Sequence, residues 1–212
     1  MIQLYPDQAD AARQIRQAYA VGQRSVLFVA PCAFGKTVLF SHICQGAAKR
    51  GNNVLIIAHR AELIDQISDT LKSFDIDHGF LVAKISSPQK QVMIASIQTL
   101  ARRLKKHPHG YAMIIIDEAH HCTKRNTFGK VLSAFPTSKL LGVTATPCRL
   151  SGEGLGDIFD HMIVGPSASE LIERGRLSPF KLFAPPTIDV SGLRVRPAGY
   201  MQEQVVGVVD KA

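Results

Sequence analysis

The sequence predicts an α/β domain built on a mostly parallel β-sheet with helices on both faces. Short aliphatic and β-branched runs alternate with helically spaced segments from Ala9 onward, which is the pattern of βαβ units. The runs are apolar at successive positions, as strands covered on both faces must be. Size agrees, since 212 residues, 46% apolar and 20% charged, can bury a sizeable core without disulfides. That composition excludes disorder and collagen-like structure for the chain as a whole.

Taken in order, Ala9 to Ala20 has helical spacing and Ser25 to Ala30 reads as a buried strand. Lys36 to Arg50 is the next helix, with Gly51 placed to cap it. Val54 to Ala58, Val92 to Ser96, Met113 to Asp117 and Lys139 to Thr144 read as further buried strands, with helices at Ala61 to Phe74 and Thr127 to Phe135. Beyond Pro147 the pattern loosens, with three glycines between Gly152 and Gly156, a helix at Ser169 to Arg174 and a strand at Pro179 to Ala184. Pro185-Pro186 marks a break, and Thr187 to Ala212 is too short for a second domain. The expected organisation is one domain over residues 1–185 and a linker, or the opening of something further, over residues 186–212. The last residues carry no stop signal, which predicts a fragment of a longer protein.

Lys and Arg total 25 against 17 Asp and Glu, a formal charge of +8 that favours polyanionic partners. No apolar run approaches the ~20 residues that cross a bilayer, and the N-terminus lacks a basic stretch before an apolar core. The expectation is a cytoplasmic protein with no membrane partner. Cys32, Cys44, Cys122 and Cys148 form no C-x-x-C pair, so reduced thiols are expected rather than a disulfide framework or zinc ribbon.

Three constellations carry chemistry. Ala30-Pro31-Cys32-Ala33-Phe34-Gly35-Lys36-Thr37 lies between a strand and a helix, where backbone N–H groups and a helix N-terminus face phosphate oxygens. There Lys36 reaches the β/γ-phosphates and Thr37 ligates Mg²⁺, although Ala30 stands where the strict G-x-x-x-x-G-K-[ST] pattern has its first glycine. Asp117-Glu118-Ala119-His120 follows a strand directly, so Asp117 can hold Mg²⁺ while Glu118 orients and deprotonates water. His120 is placed to sense the nucleotide state, and the neighbouring His121 and Cys122 do not complete a zinc site. Thr144-Ala145-Thr146-Pro147, followed by Arg149, offers hydroxyls that relay γ-phosphate occupancy to the Asp117 to His120 segment.

In this order the three sites resemble motifs I, II and III of the first motor domain of superfamily 2 helicases and translocases, with a DEAH box at residues 117–120. The branch most resembled is that of restriction-enzyme motor subunits and excision-repair helicases. The resemblance covers about residues 2–185 and implies a RecA-like P-loop fold that binds ATP and Mg²⁺. It implies catalytic roles for Glu118, Asp117 and Lys36, and nucleotide contacts from Ala33, Phe34, Gly35, Lys36, Thr37 and His120. Thr37 and Asp117 would be the Mg²⁺ ligands, and Thr144 and Thr146 the coupling residues.

Leu4-Tyr5-Pro6-Asp7-Gln8 resembles the segment whose glutamine, here Gln8, reads adenine. Ala58-His59-Arg60-Ala61-Glu62-Leu63 resembles motif Ia, and Ala95 to Leu100 the following strand-end element; both touch the nucleic-acid backbone in relatives, which points to Arg60, Gln98 and Thr99. Arg102, Arg103, Lys105 and Lys106 either extend that track or form a solvated helix face. No aromatic residues interleave for base stacking, so backbone contact without sequence reading is expected, with DNA favoured over RNA.

Three departures stand out: Ala33 in place of the family's glycine, Tyr5 in place of its arginine and Asp7 in place of its aromatic residue. The family's C-terminal RecA-like domain, source of the arginine finger, is absent from these residues. The reading is therefore the ATP-binding motor domain of an ATP-dependent helicase or translocase, a fragment expected to be inactive alone. The rivals are a nucleic-acid-binding P-loop module without ATP turnover and a small-molecule phosphotransferase.

Overall fold

Ser25–Val29 forms β1, a strand buried at all five positions. It pairs in parallel with β6 (Lys139–Thr144) on one side and β7 (His161–Val164) on the other. β2 (Val54–Ala58), β3 (His78–Leu81), β4 (Val92–Ser96) and β5 (Met113–Asp117) complete one seven-stranded sheet in the order β3-β4-β2-β5-β6-β1-β7, every pair parallel. This computed structural model describes residues 2–59, 61–83, 85, 87–104, 110–149, 152–179 and 181, with 195–196 and 199–200. The chain divides into two units, Met1–Leu177 and Ser178–Ala212; the second shows an antiparallel pair, β8 (Val195–Arg196) with β9 (Gly199–Tyr200).

Both sheet faces are covered. On one, α1 (Pro6–Ala20), α2 (Lys36–Ala48) and α3 (Ala61–Ser73) join α6 (Ala168–Glu173) over a core that includes Ile15, Phe40, Ile67, Phe28, Ile56 and Ile115. On the other, α4 (Ile97–Arg103) and α5 (Thr127–Ser133) cover Leu27, Leu55, Ile57 and Ile114 with Leu100, Phe128 and Val131. Alternate residues of each strand enter opposite cores, so apolar character is required at every position. Each fully buried aliphatic side chain is worth ~1.5–3 kcal/mol relative to exposure.

The predicted strands stand within one residue of their observed ends, and the sheet is wholly rather than mostly parallel. Helix α1 starts three residues earlier than its apolar spacing indicates, because Pro6 occupies the first turn and Gln8 closes a capping box with Tyr5. Among the elements that escape the sequence reading are β3, β7 and α4. β3 and β7 are edge strands of four residues each, with apolar stretches too short to stand out, and β7 buries only Ile163. α4 follows β4 with no intervening loop, Ser96 serving as its N-cap. The predicted strand Pro179 to Ala184 lies mainly outside the described residues. Gly51 has φ +80° just past α2, the left-handed turn expected of it.

Because β6 lies between β1 and β5, the loops leaving all three strands meet at the carboxyl end of the sheet. That adjacency builds the site.

Candidate active site

The loop after β1 is tightly wound. Ala33 and Gly35 both adopt left-handed backbone, with φ +66° and +88°. Gly35 tolerates no side chain, since a Cβ there would lie 2.5 Å from Gln8 Nε2. Phe34 anchors the loop: its ring is buried and its centroid lies 5.3 Å from that of Phe28. Lys36, the first residue of α2, folds back so that Nζ donates to Ala30 O at 3.0 Å and Pro31 O at 3.2 Å. A cation therefore sits in the mouth of the loop, beside the helix N-terminus, with Thr37 one residue on.

Gln8 spends its amide within this framework. Its Oε1 accepts from Tyr5 N–H at 3.1 Å and its Nε2 donates to Phe34 O at 2.9 Å. Arg176, which sequence reasoning missed, reaches the same carbonyl through Nη2 at 3.2 Å, pairs with Asp7 at 2.5 Å and lies 3.6 Å from the Tyr5 ring centroid. Tyr5, Asp7 and Arg176 also line a cavity of about 450 Å³. Asp7 and Tyr5, both departures from the family pattern, thus acquire a common partner 169 residues along the chain from Asp7.

At the end of β5, Asp117 is buried and its Oδ1 accepts from Glu118 N–H at 3.0 Å. Burial first, and then the neighbouring Glu118 charge, push the Asp117 carboxyl up to about 6, although Lys36 and His120 pull the other way. Glu118 has φ +52°, a costly conformation for a residue with a Cβ, and it turns the chain into a short helical turn, Ala119–His121.

His120 joins this turn to β6. Its Nδ1 lies 3.2 Å from Glu118 Oε2 and 2.9 Å from Thr144 Oγ1. The Thr144 hydroxyl donates to Thr146 O at 3.1 Å, so it accepts from His120, which places the imidazole proton on Nδ1. Thr144 is fully buried and also receives Thr146 N–H at 3.1 Å. Cys32, Glu118, His120, Thr146 and Arg149 line a cleft of about 530 Å³ running from the first loop to the third. Arg149 is occupied structurally, donating to Cys122 O at 3.0 Å and pairing with Asp157.

The residues expected to meet nucleic acid are more scattered. Arg60, Lys105 and Lys106 lie outside the described residues. Gln98 and Arg102 are exposed on α4, whereas Thr99 is buried, its Oγ1 accepting from Ser96 Oγ at 2.8 Å within the N-cap. His59, which the sequence reading did not single out, stacks on His121 at 4.5 Å between centroids, and His121 on His120 at 4.1 Å. Its Nδ1 is buried without a hydrogen-bond partner among the described residues. Three imidazoles thereby connect the end of β2 with the carboxylates after β5, and only the repeated histidine at 120–121 hinted at it.

Thr144, on the strand between the first loop and the carboxylates, thus joins the second and third loops through His120. The likeness to a superfamily 2 motor domain is borne out by comparison with known proteins. The family model for the type III restriction enzyme res subunit matches residues 1–149, and the chain belongs to that family. It is 35% identical over 183 residues to a 51.5 kDa protein of a Lactococcus phage, covering 85% of this chain and 37% of that one. It is 32% identical over 157 residues to IRC3 of Saccharomyces cerevisiae, whose name places it among ATP-dependent helicases, covering 66% and 23% respectively. Among solved structures, the type ISP restriction-modification enzyme LlaGI, in complex with a DNA substrate mimic, superimposes with a TM-score of 0.63 at 17% identity, over 82% of this chain and 21% of that one. The chain spans between about a quarter and two fifths of the length of these curated relatives. Among the described residues, no helix is long and apolar enough to cross a membrane.

Proposed function

We propose that this chain is the nucleotide-binding half of an ATP-dependent DNA motor, completed by a second RecA-like domain elsewhere in the full-length protein. The supporting observation is the Glu118–His120–Thr144 connection, which ties a carboxylate suited to water activation to the strand beside the phosphate-type loop. The donor set fits Mg-ATP: a lysine resting on exchangeable carbonyl partners, a threonine at the head of α2, and a carboxyl whose charge is disfavoured by burial and by the neighbouring Glu118. Lys36 would exchange its two carbonyls for phosphate oxygens, and Thr37 and Asp117 would hold Mg²⁺. The metal supplies charge neutralisation at the phosphates. Glu118 orients a water and takes its proton, while His120, fixed by Thr144, holds that carboxylate in place. Gln8, with both amide atoms engaged, braces the loop, and it would read adenine only by giving up one of those bonds.

DNA is the preferred track, on the +8 charge and on the bound substrate mimic of the LlaGI neighbour. Gln98 and Arg60 are the contacts proposed on this chain. Exposed free thiols at Cys32 and Cys148 suit a reducing, cytoplasmic setting.

The test is ATP turnover with and without DNA, by the 212-residue chain and by the full-length protein. The chain alone is expected to bind Mg-ATP and hydrolyse it poorly, because an arginine finger is worth ~10³–10⁵ in rate. The full-length protein is expected to show DNA-stimulated hydrolysis that Glu118→Gln abolishes. One observation favours a non-hydrolysing module instead: the left-handed Ala33 strains the loop. That reading wins if the full-length protein binds DNA yet shows no turnover.

A further inference from the structure

Residues 11–61 include seven Lys or Arg and no Asp or Glu. The fold gathers part of this run at the amino end of the sheet, away from the candidate active site. Arg16 from α1, Arg50 after α2 and Lys139 at the start of β6, all exposed, surround a cavity of about 480 Å³ to which no carboxylate contributes. None of the three forms an ion pair with a described carboxylate.

Their contacts are instead with neutral groups. Arg16 Nη2 lies 2.8 Å from His42 Nε2, and Lys139 Nζ lies 5.0 Å from the Tyr19 ring centroid. His42 is held below its ordinary range by burial first, with Arg16 and Lys49 adding to it. The dipole of α2 accounts for a cation at Arg50. It accounts for neither Arg16, inside α1, nor Lys139, which opens a strand.

The accessible floor is aliphatic, formed by Ile43 and Met113. A phosphodiester backbone gains nothing from such a floor, and a base finds no free ring: Tyr19 donates its hydroxyl to Leu140 O at 2.6 Å and lies under Lys139. Carboxylates and an aliphatic side chain on one ligand satisfy both rim and floor. We propose that this cavity binds an acidic peptide segment of a partner protein, with carboxylates on Arg16, Arg50 and Lys139 and a leucine-like side chain against Ile43 and Met113.

Fluorescence polarisation on the 212-residue chain tests this with a fluorescein-labelled Glu-Asp-Leu-Leu-Asp-Glu peptide, its neutral Gln-Asn-Leu-Leu-Asn-Gln counterpart, and labelled (dT)15. The acidic peptide is expected to bind at least tenfold more tightly than the neutral one, to weaken with salt, and to lose at least tenfold in the Arg16→Ala/Arg50→Ala/Lys139→Ala variant. The three side chains are exposed, so that variant should melt with the wild type; Lys139→Glu provides a second, single-site check. Equal binding of the two peptides, or undiminished binding by the variants, overturns the proposal. So does a (dT)15 affinity that is higher than the peptide's and falls as steeply in the triple variant, which assigns the cavity to nucleic acid. Mg-ATP affinity, measured on the same proteins, should not change. Its absence in the wild type refutes the motor reading and leaves this one standing.

Discussion

The two ends of one sheet are built on opposite terms. At the carboxyl end, β1, β5 and β6 release loops with left-handed backbone at Ala33, Gly35 and Glu118, a buried Asp117 and a buried Thr144. At the amino end, regular strand starts and helix ends surround an aliphatic hollow with exposed cations that form no ion pair among the described residues. Strain and buried polar groups need over-determined surroundings, and the first end has them in Phe34, Gln8 and Arg176 packed beneath its loop. Long cationic side chains in solvent need no such support. The carboxyl end should therefore be sensitive to single atoms, and the amino end tolerant of whole side chains.

The largest expected break is in ligand binding. Lys36→Ala should weaken Mg-ATP by at least a hundredfold, about 3 kcal/mol, because it removes the cation held in the mouth of the loop. Calorimetry showing unchanged affinity would dismiss the loop as a phosphate site.

Stability separates the two ends next. In β6, a Cβ at Gly142 would sit 2.4 Å from the Phe159 ring and 2.8 Å from Ala119 Cβ, so Gly142→Ala should cost ~2–3 kcal/mol in urea unfolding. Lys139→Ala, three residues earlier on the same strand but exposed, should stay within ~0.5 kcal/mol. Equal losses would erase the contrast.

Thiol chemistry reads the same difference at lower amplitude. Cys32 and Cys148 are exposed along the cleft, whereas burial pushes Cys44 and Cys122 up to about 12 and leaves them as neutral thiols at pH 8. Two thiols should react with a maleimide in the folded protein and four after unfolding. ATP should slow labelling at Cys32, and mass spectrometry of labelled peptides would expose any other order.

The smallest effect concerns backbone strain. With φ +66° at Ala33, Ala33→Gly should relieve roughly 1 kcal/mol and tighten nucleotide binding about fivefold, measured by the same calorimetry. Weaker binding would show that the methyl group is carried without cost.

Much of this molecule is legible in order along the chain. The central strands β1, β2, β4, β5 and β6 are buried on both faces, so their apolar runs stand out, and the three loops that follow β1, β5 and β6 carry their chemistry as contiguous motifs. β3 and β7 were not legible, because each is a four-residue edge strand whose apolar stretch, Phe80-Leu81 or Met162 to Val164, is too short to stand out from the loops around it. The sequence also hid Arg176, whose partners Asp7 and Phe34 lie 169 and 142 residues away, and the stacking of His59 on His121.

By itself, then, the sequence determined the fold class, the succession of strands and helices, and which loop residues bear a cation, a carboxylate or a hydroxyl, because periodicity and local motifs depend on near neighbours in the chain. Only the tertiary structure decided that Gln8 braces the loop, that Thr144 sets the tautomer of His120, and that Arg16, Arg50 and Lys139 share one cavity. Those relations depend on β6 lying between β1 and β5 and on the packing of the crossover helices, which bring together groups that no local pattern connects.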